Sequence, residues 1–192
     1  MKTCADSLPK VRTREVDMAD YVKRFRDVER FEGFCQACHN YGTCWICPPF
    51  DDDTGSPFEK YESLLLIACT LPRPAESDHL MLLQEMMPAR ELLEQSLLQL
   101  EKTTGGRAFG FTGFCIYCKE CSRKKGEKCR FPEKARPSLE AYGFDLCATM
   151  DQLFGVSLEW AGKGRTPEEV TLIGGLAHNK PQGTVRFKWC ED

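Results

Sequence analysis

Apolar positions along the chain change period several times, and each change predicts an element. Between Val11 and Arg30, charged residues are mixed with Val16, Tyr21, Val22, Phe25 and Val28. This predicts a short strand and then an amphipathic helix from about Asp20, with Asp20 as its cap. From Gly33 to Asp53 all periodicity is lost, which predicts a loop. Tyr61 to Leu71 is a continuous apolar run stopped by Pro72 and Pro74, the pattern of a central strand covered on both faces. Leu82, Met86, Ala89, Leu93, Leu97 and Leu100 then recur at helical spacing between Asp78 and Lys102, tracing one helix face. Pro88 lies inside that span and predicts a kink there or a new helix starting there. Gly105-Gly106 ends the helix, and Phe109, Phe111 and Phe114 mark the next strand. Strand, long helix and strand in that order form a crossover unit whose strands run parallel.

A second aperiodic stretch runs from Cys115 to Pro137. Pro137 suits the first turn of a helix containing Leu139 and Tyr142 and stopped by Gly143. Asp145 caps a further helix through Phe154. Val156, Leu158 and Trp160 alternate with polar residues, and Val170 to Leu176 is apolar again. With Gly162, Gly164 and Pro167 between them, these two runs predict a hairpin. A helical start on Thr166-Pro167-x-Glu169 is the competing reading. The sum is one α+β domain over residues 1–192, a mixed sheet with flanking helices and two projecting loops, 33–53 and 114–137.

Composition changes this picture in one respect. The 192 residues are 42% apolar, 10% aromatic and 29% charged, with a net charge of −3. These are globular values, and they argue against wholesale electrostatic capture of nucleic acid. Twelve residues, however, are cysteines. A chain of this length buries about 70% of its unfolded surface and needs no disulfide staples. The first residues, MKTCADSLPK, lack the apolar run and cleavage site of a secretory signal, and the longest apolar run, Leu64 to Cys69, is too short for a bilayer. The expectation is therefore a reducing cytoplasm, no membrane, and cysteines that bind metal.

Eight of the twelve cysteines fall in two compact patterns: Cys35-x2-Cys38-x5-Cys44-x2-Cys47-Pro48-Pro49 and Cys115-x2-Cys118-x2-Cys121-x7-Cys129. A pair separated by two residues turns both thiolates toward one centre. A zinc ribbon sets two such pairs on separate hairpins about 12–20 residues apart, but only five residues separate them in the first pattern. Three cysteines at successive two-residue gaps match the cubane iron–sulfur runs of bacterial ferredoxins. The expected cofactors are two 4Fe-4S clusters, with zinc as the alternative, held by Cys35, Cys38, Cys44, Cys47, Cys115, Cys118, Cys121 and Cys129. Since the fourth cysteine of such a run can serve the other cluster, Cys47 or Cys129 is open to crossing over.

The flanking aromatics Phe34, Tyr41, Trp45, Phe50, Phe114, Tyr117 and Phe131 are expected to exclude water. Arg123, Lys124, Lys125, Lys128 and Arg130 either offset cluster charge and dock an acidic redox partner or form a solvated basic loop. Cys69 and Cys147 read as small buried hydrophobes, and Cys4 and Cys190 as terminal residues outside the sites. His39 reads as near a site or facing solvent, while His79 and His178 lack ligand spacing. The run Asp51 to Asp53 reads as a solvated turn.

The segments FCQACHNYGTCWICPPF and CIYCKECSRKKGEKCRFPEKARPSLEAYGFDL resemble the prokaryotic "predicted metal-binding protein" family, a domain-of-unknown-function group common in anaerobes. The resemblance covers nearly the whole chain, through Cys44 to Pro49, Cys115 to Cys121, Cys129 to Pro132 and Arg136 to Asp145. It implies metal binding by the eight loop cysteines and supplies no reaction. Dinucleotide, phosphate-loop, hydrolase-elbow and zinc-protease signatures are absent from the sequence. Electron transfer with a redox partner protein is thus the expected function. A cluster-dependent small reductase and a zinc-stabilised interaction module are the alternatives, and oligomeric state is open.

Overall fold

The computed structural model describes residues 9–50, 56–72, 79–158, 167 and 169–189, with the backbone alone for 56, 72 and 79–85. Strand β1 (Lys10–Asp17) leads into helix α1 (Met18–Phe25) and helix α2 (Val28–Gln36). A short helix α3 (Ser56–Glu59) precedes β2 (Ser63–Pro72), and the long α4 (His79–Thr104) precedes β3 (Arg107–Phe109). Helix α5 (Leu146–Thr149) continues into a wider turn over Met150–Phe154, and β4 (Glu169–His178) follows.

Aspartates set the helix starts. Asp17 accepts from the Asp20 amide at 2.8 Å, Asp27 from Arg30 at 3.1 Å and Asp145 from Ala148 at 2.8 Å. Each cap satisfies an amide that has no partner within its helix, an effect worth about 1 kcal/mol. The cap of α1 is therefore Asp17, and the expected cap Asp20 lies in the first turn. The helix also stops at Phe25, because Arg26 bridges Phe144 and the Asp27 amide donates to Gly143. A second helix then starts and carries the chain on to Cys35, inside what the sequence predicts as loop. Helix α4 continues through Pro88.

The sheet order is β1-β2-β4-β3, and all three ladders are antiparallel. The expected crossover strands β2 and β3 do run in the same direction, but β4 lies between them. That insertion replaces the parallel pairing of a mixed sheet by antiparallel ladders. The expected hairpin is not formed by the described residues either: β4 pairs with β2 and, over Gly175–Ala177, with β3, and Val156–Leu158 have no strand. Those residues run without strand structure and pack Val156 and Leu158 against the core. Trp160, Gly162 and Gly164 lie outside the described residues. Of the competing helical start, Thr166 lies outside the described residues, and Glu169 opens strand β4 instead of a helix.

Strand β2 is covered on both faces, as its continuous apolar run predicts. Leu64, Leu66 and Ala68 face a core shared with Met18, Tyr21, Phe25 and Phe144 from the α1 and α5 side. Leu65, Ile67, Cys69 and Leu71 face Met86, Leu93 and Leu97 of α4. This period-two division between two cores follows from strand geometry. The result is an α+β fold of three layers, and both cysteine loops emerge at one end of it.

Candidate metal centre

The first cysteine loop begins as α2 ends. Cys35 occupies the last helical turn, and the Cys38 amide donates to the Cys35 carbonyl at 2.9 Å. A second turn of the same kind joins the Cys47 amide to the Cys44 carbonyl at 3.1 Å. These tight turns bring the two thiols of each pair close together. Tyr41 ties the loop back to α2 by donating its hydroxyl to Glu32 at 2.6 Å. The loop leaves through Pro48-Pro49, whose peptide bond is cis.

The second loop is anchored at both ends by α4. Arg90, 3% exposed, donates to the carbonyls of Thr112 and Phe111 at 2.8 Å each, just before Cys115. Its neighbour Gly113 has φ +109°, and a Cβ there would lie 2.9 Å from the Arg90 guanidinium. Only glycine meets both constraints. At the far end, Arg136 forms a fork onto Glu101 at 2.7–3.2 Å and donates to the carbonyls of Pro132, Glu133 and Ala135.

The two loops lie against each other. Trp45 donates its indole N–H to the Glu127 carbonyl at 3.0 Å, and the Arg123 guanidinium lies 5.0 Å from the Trp45 ring. Arg123 belongs to a short 3-10 turn, Ser122–Lys125. The structure thus gives Arg123 a different role from the other basic residues of its loop: it joins the two loops. Lys125 and Arg130 pair with Glu120 and Glu127 at 4.0 and 3.7 Å, while Lys124 and Lys128 are exposed.

All eight loop cysteines are free thiols, and contacts through Cys44 connect the two patterns. Cys44, 6% exposed, lies beside Cys115, Cys47 and Cys121. Cys47 in turn interacts with Cys38 and Cys35, and Cys118 with Cys121 and Cys129. Hydrogen bonds from Cys115 and Cys47 hold the Cys44 thiol well below the usual thiol range. The same bonds, with burial, push Cys47 and Cys115 up. Burial, then the nearby Glu140 and Glu32 carboxylates, push Cys35 up to about 11.

Two cavities divide seven of these thiols. One of about 160 Å³ is lined by Cys35, Cys38 and Cys47 together with Phe34, Tyr41 and Glu140. The other, of about 400 Å³, is lined by Cys44, Cys115, Cys118 and Cys121 with Phe114 and Lys124. The thiols line these spaces: among the described residues, no three His, Cys, Asp or Glu side chains converge closely enough to hold a single ion. As a donor set, eight thiols with few competing oxygen or nitrogen groups suit soft, thiolate-binding metals and iron–sulfur centres. Thiols that are mostly half-buried and lie beside one another fit such a group.

A family model described as "Predicted metal-binding protein (DUF2284)" matches residues 22–176, from α1 to β4, and so includes both loops. The chain belongs to this predicted metal-binding family. No curated protein and no solved structure matches it.

The remaining candidates separate clearly. His39 is exposed, as one of its two readings expects, and its carbonyl accepts from Thr43. His178 is fully buried on β4, with Nε2 3.4 Å from Glu15. The side chain of His79 lies outside the described residues, as do Cys4, Cys190 and Asp51 to Asp53. Cys69 is buried as expected, but Cys147 is exposed, because only Leu146 and Thr149 of α5 face the core. Phe34 and Phe114, expected to exclude water, are 61% and 38% exposed. Arg90 and Glu140 are the residues that sequence reasoning missed. Arg90 had one visible signal, its spacing of four from Glu94 within an apolar helix face; Glu140 had none.

Proposed function

We propose that the protein is an iron–sulfur protein that holds two 4Fe-4S clusters on cysteines of its two loops and passes single electrons to and from a redox partner protein in a reducing cytoplasm. The observation that carries this reading is the proximity of the thiols: Cys44 lies beside Cys47 of its own loop and lines one cavity with Cys115, Cys118 and Cys121 of the other. Two redox centres held this way are neighbours, as one-electron relay requires. When bound, such clusters supply a one-electron couple whose potential depends on net charge, hydrogen bonding and solvent exposure.

The chain's own groups bear on each of these. Buried Arg90 interacts electrostatically with Cys115 and so opposes the negative charge of a thiolate centre there. The Ile46 amide donates to the Cys44 sulfur. Exposed Phe114 and Lys124 line the larger cavity beside its thiols, a rim suited to an acidic redox partner. No helix among the described residues is long and apolar enough to cross a membrane.

Anaerobic purification with iron, sulfide and zinc analysis tests the reading. The expectation is about eight iron and eight sulfide per chain, with brown charge-transfer absorbance that bleaches under dithionite. Stoichiometric zinc without sulfide would overturn it and favour the zinc-stabilised module.

A further inference from the structure

The two patterns of four cysteines in the sequence do not correspond to the two cavities. The larger cavity takes its four thiols from both loops: Cys115, Cys118 and Cys121 from the second, and Cys44 from the first. The smaller has only Cys35, Cys38 and Cys47. Cys129 lines neither of these two cavities, although it lies near Cys118. Cys44 lies beside Cys115 and Cys121 of the second loop and Cys47 of its own. We propose that Cys44 crosses over to complete a four-thiolate site with Cys115, Cys118 and Cys121, and that the Cys35, Cys38, Cys47 site has a fourth, non-cysteine position open to its cavity.

The backbone explains the split. Arg123, rooted in the second loop, binds the carbonyls of both Cys44 and Cys47 and draws their turn across. Within that turn Cys44 faces the second loop, and Cys47 faces α2.

Glu140 is the one carboxylate among the residues lining the smaller cavity. It sits on the short 3-10 turn Glu140–Tyr142 and is among the nearest charges to Cys35. It is the group on hand for the open position. A carboxylate is a harder and more exchangeable donor to iron than a thiolate. The site would therefore admit a small oxygen- or nitrogen-donor ligand, between the apolar walls of Phe31, Phe34 and Ile46. This assignment rests on the iron–sulfur reading for the identity of the metal, but not for the division of the thiols.

Serine variants of the full chain, reconstituted anaerobically, test it. Cys44→Ser is expected to lose about half of the iron and sulfide, and Cys129→Ser to keep the wild-type content. Loss of a cluster in Cys129→Ser would overturn the assignment. Ferricyanide supplies a second readout. Taking one electron from a 4Fe-4S cluster with an exchangeable iron releases that iron as Fe²⁺ and leaves a three-iron cluster with its own paramagnetic signal. That signal is expected in the wild type and in Cys44→Ser, and its absence from the wild type would also overturn the assignment.

Glu140→Cys, which leaves every existing thiol in place, is expected to add a fourth thiolate and suppress the three-iron signal. An undiminished signal in that variant, with folding intact by circular dichroism, removes Glu140 from the fourth position. The sulfide content of the wild type alone decides the iron–sulfur reading. If zinc is found instead, the halving of metal in Cys44→Ser but not in Cys129→Ser still decides the division of the thiols.

Discussion

Arg123 donates from Nη1 to the carbonyl oxygen of Cys47 at 2.7 Å, across 76 positions of sequence. The same nitrogen reaches the Cys44 carbonyl at 2.9 Å, and Nη2 reaches Pro49 at 2.5 Å. One planar fork therefore collects three carbonyls at the exit of the first loop. A lysine cannot reproduce this, since its ammonium is a compact point charge without a rigid fork.

Arg123→Lys is thus expected to keep the charge, lose the clamp and weaken the docking of the two loops by about 1–3 kcal/mol. Metal content should fall at both sites, and amide exchange should quicken over residues 40–49. Unchanged metal content with unchanged protection would show that the clamp is dispensable.

Removing metal should affect the loops and spare the sheet. Strands β2 and β4 are buried between two apolar cores that contain no loop cysteine. In chelator-treated protein, hydrogen exchange should leave Leu64–Cys69 and Leu172–Ala177 protected while protection falls over 37–48 and 115–130. Loss of protection in all of these segments together would mean that the metal holds the whole domain.

Arg90 and Glu94 form a buried pair, with Nη2 3.7 Å from the carboxylate and side chains 4% and 7% exposed. Burial lowers the arginine and raises the glutamate, and each opposes the shift of the other. Replacing Arg90 alone with Met leaves Glu94 buried without its counter-charge, and the carbonyls of Phe111 and Thr112 without their donor. The expected loss is about 3–5 kcal/mol, measured by denaturant unfolding. The Arg90→Met, Glu94→Leu double variant should recover part of that loss, and a double variant no more stable than the single one would count against the pair.

Cys69 and Cys147 should differ in reactivity. Burial pushes the Cys69 thiol up to about 11, whereas an unfolded cysteine ionises near about 8.5. The folded chain thus keeps this proton where the unfolded chain has lost it. The resulting stability is complete below the unfolded value and is lost as pH rises toward 11. Alkylation of the folded protein at pH 8, mapped by mass spectrometry, should mark Cys147 and leave Cys69 unmodified until denaturant is added. Labelling of Cys69 in the folded protein would contradict the burial.

Much of this molecule can be read from its residues. The run from Leu64 to Cys69 is apolar on both faces because both faces of β2 are covered, and the stripe through Leu93 and Leu97 is the buried face of α4. The cysteine spacings likewise mark both loops. The order of strands is hidden, because the pairing of β4 with both β2 and β3 is a choice between distant segments that leaves no periodic trace. The role of Arg123 is hidden for a similar reason: beside Lys124 and Lys125 it looks like one more solvated charge, and only the fold shows the three carbonyls it meets. Cys44 belongs by spacing with Cys47, and its contacts with Cys115 and Cys121 depend on how the loops dock.

The place of β4 in the sheet also bears on synthesis. All eight loop cysteines leave the ribosome before Glu169–His178, the segment that pairs with β3 and holds the start of the second loop in place. A nascent chain therefore exposes all eight loop thiols while the strand beside β3 is still missing. Its metal is better delivered after release than during elongation, when the thiols face competing oxidants and stray ions without a formed site.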